Sequence, residues 1–187
     1  MKKIVQLTAL ALLFIIIGCK PANQEADGTT TEAVDMTNKT VDFNQLYQFY
    51  YSSPQSLDER QENQLIDYMV DNDLALNRSI TGLYYQITKE GKGKNIKPGD
   101  KLKVHYTGRF LDGKKFDSSV DRGKPLEFTL GTSGLIQGWL EGLRYMNEGA
   151  KMTLVVPSRL AYQSRGFGNM IGPDVPLTFE MEVLKVN

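Results

Sequence analysis

The chain of 187 residues holds one histidine, His105, and one cysteine, Cys19. That scarcity restricts the chemistry. A zinc site needs about three or four closely spaced Cys, His or carboxylate ligands. A serine or cysteine nucleophile needs a well-placed histidine beside it. His105 stands inside an alternating strand pattern with no Ser or Cys elbow nearby, which reads as a structural side chain on a sheet face. Gly91-Lys92-Gly93-Lys94 lacks the frame and the following helix of a phosphate-binding loop. No metal and no cofactor are therefore expected. One thiol excludes internal disulfides. The 22 basic and 22 acidic side chains cancel, and no basic stripe stands out, so nucleic acid is not expected as a partner.

The elements that must position any site begin with what reads as an address. Met1-Lys2-Lys3 is a positive start, and Ile4 to Ile17 is a nearly unbroken apolar run. The run is shorter than the roughly 20 residues that span a bilayer and suits a secretory signal. It ends in Ile16-Ile17-Gly18-Cys19, which resembles a bacterial lipobox. Residues 1–18 are thus expected to be a lipoprotein signal, with Cys19 as the lipidated N-terminus. An uncleaved anchor and an ordinary signal are the alternatives. Two or three acyl chains anchor a protein stably where one does not. Residues 19–42 are mostly polar, with Asn23-Gln24-Glu25, Gly28, a run of three Thr and few large apolar residues. They read as a flexible, disordered tether that cannot bury enough surface to fold. The expected location is the bacterial cell envelope, lipid-anchored at the outer membrane and facing the periplasm, with the cell surface as the alternative.

Residues 43–80 read as a helical extension. Tyr47, Phe49, Tyr50 and Tyr51 precede a break at Pro54. Ser56-Leu57-Asp58-Glu59 has the form of a capping box. Leu65, Ile66, Met69, Val70 and Leu74 then recur at helical spacing, predicting helix as far as Asn77. This stripe either caps the next domain or forms a homodimer through residues 43–80.

From about residue 81 to 187 the period becomes two. Leu83, Tyr85 and Ile87 alternate with polar residues. So do Leu102, Val104 and Tyr106, then Leu126, Phe128 and Leu130, then Met152, Leu154 and Val156, and finally Leu177, Phe179, Met181 and Val183. Such one-sided alternation belongs to half-buried antiparallel strands. One segment departs from it: Trp139, Leu143 and Met146 lie on one helical face. One amphipathic helix against one antiparallel sheet is an α+β fold.

Several motifs follow in order. They are Val104-His105-Tyr106-Thr107-Gly108, Asp112-Gly113-Lys114-Lys115-Phe116-Asp117-Ser118-Ser119, Gly138-Trp139 with Glu141-Gly142-Leu143, Leu160-Ala161-Tyr162, Ile171-Gly172-Pro173, and Pro176-Leu177-Thr178-Phe179. From about Gly82 to Val186 the chain resembles the FK506-binding family of peptidyl-prolyl cis/trans isomerases. That resemblance implies a sheet of about five antiparallel strands curled around one short helix, with a hydrophobic cleft between them. It implies catalytic positions at Tyr106, Phe116, Asp117, Trp139, Tyr162 and Phe179. It implies substrate-binding positions at Leu126, Leu135, Ile136, Phe167 and Ile171. Proline-containing polypeptides would be the clients. Leu126 stands where the family often has an aromatic wall residue. Gln163 stands after Tyr162 where glycine is common, which predicts an altered backbone there.

The reaction so implied breaks no covalent bond. An X–Pro amide rotates over a barrier of about 18–20 kcal/mol set by resonance, and unassisted exchange takes tens to hundreds of seconds. A dry cleft removes the water that stabilises charge on the amide oxygen, and shape holds the twisted amide. Aromatic side chains suit this task better than an acid–base pair. A folding helper or envelope-assembly module that uses the same cleft for binding, with weak or irrelevant catalysis, is the alternative.

Overall fold

A computed structural model describes residues 43–132 and 134–187. The signal, Cys19 and the tether lie outside the described residues. Among the described residues, no helix is long and apolar enough to cross a membrane.

The sheet has seven strands. They are β1 (Asn77–Arg78), β2 (Tyr84–Lys89), β3 (Lys101–Phe110), β4 (Lys115–Ser118), β5 (Leu126–Thr129), β6 (Lys151–Val156) and β7 (Leu177–Val186). All pairings are antiparallel, in the order β1-β2-β6-β7-β3-β4. β3 pairs with β7 along one edge. Its other edge is shared, with β5 opposite Lys101–Val104 and β4 opposite Thr107–Arg109. The sequence predicts about five strands. β1 and β4, of 2 and 4 residues, are too short to show an alternation that could be read.

Period two divides the sheet into two faces. One face carries Leu102, Val104, Met152, Leu154, Val156, Leu177, Met181 and Val183, all buried. It is covered by α3 (Gln137–Gly142), which runs on into a tighter turn over Leu143–Tyr145. Trp139, Leu143 and Met146 point into this core. Gly138 and Gly142 let the helix lie close on β6: a Cβ at Gly138 would come within 2.6 Å of Val156 Cγ1, and one at Gly142 within 3.1 Å of Leu154 Cδ2.

The other face receives the N-terminal extension. α1 (Asn44–Tyr47) is a single turn, and α2 (Leu57–Asp71) starts at a completed capping box. Glu59 N–H donates to Ser56 Oγ at 3.1 Å, and Ser56 N–H donates to Glu59 Oε2 at 3.0 Å. Leu65, Ile66 and Met69 are wholly buried against Tyr84 and Val155, with Leu46 and Leu76 beside them. Burial of each such side chain contributes about 1.5–3 kcal/mol. Helix does not reach Asn77 as the apolar spacing predicts. It stops at Asp71; Asp73 takes a left-handed φ of 54°, and the chain reverses so that Asn77 and Arg78 pair with Tyr85 and Tyr84. Asn and Asp are among the few non-glycine residues that adopt that conformation readily.

A buried carboxylate ties the layers together. Glu62 Oε1 accepts from Arg78 Nε at 2.7 Å and from the Tyr84 hydroxyl at 2.6 Å. The Arg78 guanidinium also lies 4.3 Å from the centre of the Phe49 ring. Burial, and then the hydrogen bond to Glu62, push the Tyr84 hydroxyl above its usual pKa, so it stays a donor.

Candidate active site

The register of β4, β3 and β7 builds the centre of a cleft. Asp117 lies opposite Gly108, and Gly108 lies opposite Phe179. Tyr106 projects from β3, Phe116 and Asp117 come from β4, and Leu126 opens β5. Leu135 and Ile136 lead into α3, where Ile136 is the N-cap residue with extended dihedrals of −65° and 151°. These residues, with Gly134, Trp139, Tyr162 and Phe179, line one cavity of about 100 Å³.

Its floor is a series of near-perpendicular rings. Trp139 meets Tyr106 at 4.9 Å between centroids and Phe179 at 5.4 Å, and Phe179 meets Phe116 at 5.8 Å. The interplanar angles are 78°, 85° and 90°. Edge-to-face pairs of this kind contribute about 0.5–1.5 kcal/mol each beyond burial, and they fix every ring by its neighbour. Gly108 is required here, since a Cβ would stand 2.5 Å from Phe116 Cζ and 3.0 Å from Phe179 Cε1. The Trp139 indole N–H is buried with no hydrogen-bond partner among the described residues.

One polar cluster stands at the edge. The Tyr106 hydroxyl donates to Asp117 Oδ2, and Arg122 Nη1 donates to Asp117 Oδ1. Arg122 Nη2 also donates to the Tyr106 hydroxyl oxygen at 3.1 Å. Partial burial works against the Asp117 charge, but the bonds from Tyr106 and Arg122 outweigh it and hold the carboxyl below the usual range. Burial, and then the hydrogen bond to Asp117, raise Tyr106. Burial, and then the Asp117 charge, raise Tyr162. Both tyrosines are protonated donors at neutral pH. Sequence reasoning missed Arg122. Its one signal is a place in the Asp121-Arg122-Gly123 turn, where Gly123 N–H bonds Val120 O and Lys124 N–H bonds Ser119 O, folding the arginine back over β4.

The structure places neither Phe167 nor Ile171 on the cavity wall. The two form an isolated antiparallel bridge, which turns Ile171 into the core and leaves Phe167 exposed. Phe167 approaches the site only through Tyr162, ring to ring at 4.9 Å. Gln163 has φ 54°, the left-handed region that glycine favours. Its amide Nε2 donates to Arg159 O at 3.1 Å and its own carbonyl accepts from Asp174 N–H at 2.8 Å.

A wider groove, of about 350 Å³, lies across the sheet beside His105, Thr107, Lys151, Glu180 and Glu182. His105 there bonds Ser119 Oγ through Nδ1 at 2.9 Å. Among the described residues no cluster of His, Cys, Asp and Glu could hold a metal ion.

A family profile described as FKBP-type peptidyl-prolyl cis-trans isomerase matches residues 92–184. An FK506-binding protein of Neisseria meningitidis is 47% identical over 105 residues, covering 56% of this chain and 96% of that one. The chain belongs to the FKBP-type peptidyl-prolyl isomerase family, a family of enzymes. A probable FKBP-type isomerase of Haemophilus influenzae is 48% identical over 107 residues, but the match spans 57% of this chain and only 44% of that protein. Among solved structures, FkpA from Escherichia coli superposes with a TM-score of 0.61 at 39% identity, covering 70% of this chain and 61% of that one. An isomerase from Pseudomonas syringae gives 0.58 at 31% identity, over 72% and 99%.

Proposed function

We propose that this FKBP-type isomerase is a lipid-anchored folding catalyst of the bacterial cell envelope, which turns X–Pro amides of exported polypeptides in the cleft between α3 and the sheet. The observation that carries the mechanism is the floor of mutually perpendicular rings. Trp139, Phe116 and Phe179 offer a proline ring a preset apolar seat and keep water from its amide. Loss of that water weakens the charge-separated planar amide relative to the twisted one. The Tyr162 hydroxyl donates to a substrate carbonyl, and the Ile136 amide at the helix entrance holds a second. Asp117, kept ionised by Tyr106 and Arg122, sets the field at the cleft edge. Leu126 and Leu135 complete the wall.

The test is isomerase kinetics of the full chain, in mild detergent, on a proline peptide, beside Phe116→Ala. The expected result is wild-type catalysis and a loss of about tenfold or more in the variant. A folded Phe116→Ala protein at full rate refutes the assignment. The anchor reading rests on Ile16-Ile17-Gly18-Cys19 at the end of the apolar run. It is tested by mass analysis of the mature N-terminus and by Cys19→Ser, which is expected to move the protein out of the membrane fraction. An unmodified Cys19 refutes it. A homodimer through residues 43–80 is proposed on the exposure of Tyr47, Tyr50, Tyr51 and Leu57. Light scattering of the full chain beside Tyr50→Ser tests it; a monomer in both refutes it.

A further inference from the structure

We infer that Gln61, on α2, is a positioning residue for the isomerase cleft: its amide holds the backbone on both sides of Tyr162, so the N-terminal extension fixes the wall that Tyr162 presents to substrate. This rests on the reading of Tyr162 as a substrate-binding residue.

Gln61 is buried, only 3% exposed, although it is a polar residue on a helix that starts at the surface. Its Oε1 accepts from the Ser158 N–H at 3.0 Å, and its Nε2 donates to the Asp174 carbonyl at 2.7 Å. Ser158 opens the tight turn Ser158–Leu160, and Ala161 leads from that turn into Tyr162. The other arm reaches the far side. Asp174, whose carbonyl Gln61 holds, donates its own N–H to Gln163 O at 2.8 Å, and Gln163 directly follows Tyr162. Elsewhere the segment between β6 and β7 is held by the Phe167–Ile171 bridge, by Ile171 in the core and by the bond from Arg159 Nη2 to Thr81 O. It contains only short tight turns, and both Gln163 and Asp174 sit at left-handed φ values, 54° and 56°. A backbone in sparsely populated regions persists only where its surroundings enforce it.

The side-chain type fits the task. One amide presents an acceptor to an N–H and a donor to a carbonyl at once. A carboxylate would set two acceptors against each other at Asp174, and an aliphatic chain would leave the buried Ser158 N–H without a partner. The neighbouring Glu62 anchors the same helix to Arg78 and Tyr84 instead. It is a natural control, because it holds α2 to the sheet without touching the segment that carries Tyr162.

The experiment compares full-chain wild type, Gln61→Ala, Gln61→Glu and Glu62→Gln in mild detergent. It reads amide hydrogen exchange, melting temperature and isomerase kinetics. In Gln61→Ala and Gln61→Glu, amides of residues 158–175 are expected to exchange about tenfold faster or more while those of β3 and β7 are unchanged. Their kcat/KM is expected to fall roughly tenfold, since small misplacements in a cleft carry large rate losses. Glu62→Gln is expected to lower the melting temperature but leave the 158–175 amides and kcat/KM within about twofold of wild type. A Gln61→Ala protein with an unchanged 158–175 segment, or with a loosened segment and full kcat/KM, overturns the inference. So does a loss of activity that simply tracks melting temperature across all the variants. If wild type shows no isomerase activity, the reading of Tyr162 falls by itself and the exchange data decide the clamp: a loosened segment supports it, and an unchanged one overturns it.

Discussion

Replacing Gly108 by alanine adds one methyl group at the centre of the cleft while leaving every aromatic residue in place. The Cβ would stand 2.5 Å from Phe116 Cζ, 2.8 Å from Phe116 Cε2 and 3.0 Å from Phe179 Cε1. Carbon atoms prefer about 3.5–4.0 Å, so something must withdraw by roughly 1 Å. Phe179 is buried and wedged between Trp139 and Phe116, whereas Phe116 is only partly buried. Phe116 should therefore swing out and open the ring floor on that side. Gly108 has no left-handed dihedral to lose, so the backbone accepts alanine, and the stability loss is that of an overpacked core, about 1–3 kcal/mol. At roughly 2–4 °C per kcal/mol for a chain of this size, the melting temperature should fall by about 2–12 °C. The catalytic loss should be larger, about 10- to 100-fold in kcat/KM, because a misplacement of 1 Å can cost that much. Exchange spectroscopy on a proline peptide, paired with a thermal melt, reads both. Adding Phe116→Leu should restore stability by making room, without restoring rate. A folded Gly108→Ala protein within twofold of wild-type kcat/KM would show that the geometry of the Phe116 wall does not matter to the reaction.

Tyr162→Phe deletes one hydroxyl and keeps the ring on Phe167; it should cost about 1 kcal/mol of transition-state binding, or roughly fivefold in kcat/KM, with an unchanged melt. The folded pKa of Asp117 lies below its unfolded value of about 3.9. Its ionised form therefore stabilises the native state above that value and ceases to do so as the pH falls through the folded pKa. Since Tyr106 and Tyr162 are both raised, kcat/KM should be flat across neutral pH, and an activity limb near pH 6 would refute this assignment of groups. Glu62→Gln keeps the acceptor but removes the charge opposite Arg78, and should cost about 1–3 kcal/mol in a denaturant titration. Ser56→Ala removes the cap of α2 and should cost about 1 kcal/mol by the same measurement.

Much of this molecule could be read before it was seen. The strands that alternate over five or more positions, and the Trp139-Leu143-Met146 face, were legible because period and burial coincide there. Phe116, Asp117, Trp139, Tyr162 and Phe179 were legible as a group because their motifs keep the family's order, and the structure gathers them around one cavity. What escaped was set by tertiary pairing. β1 and β4 are too short to carry a pattern, and α2 ends six residues before Asn77 because a left-handed turn at Asp73 and pairing with β2 override apolar spacing. Arg122 has no spacing rule linking it to Asp117; only the fold of its turn does. Gln61 carries no local signal of its role, because its partners stand 97 and 113 positions away. A local bridge with no signal in the sequence decides that Ile171 faces inward and Phe167 outward.

The Glu62, Arg78 and Tyr84 junction bears on what can be moved between proteins. The family profile begins its match at residue 92, and a transplant cut there would look complete. Yet Tyr84 would be left behind with β2, Val155 would be stripped of its cover, and β6 would lose its neighbour strand. The portable unit in this chain is longer than its family signature: a graft or chimera has to carry the segment from Phe43 onward. Exchange of the extension between relatives would require the sheet's outer face to be exchanged with it.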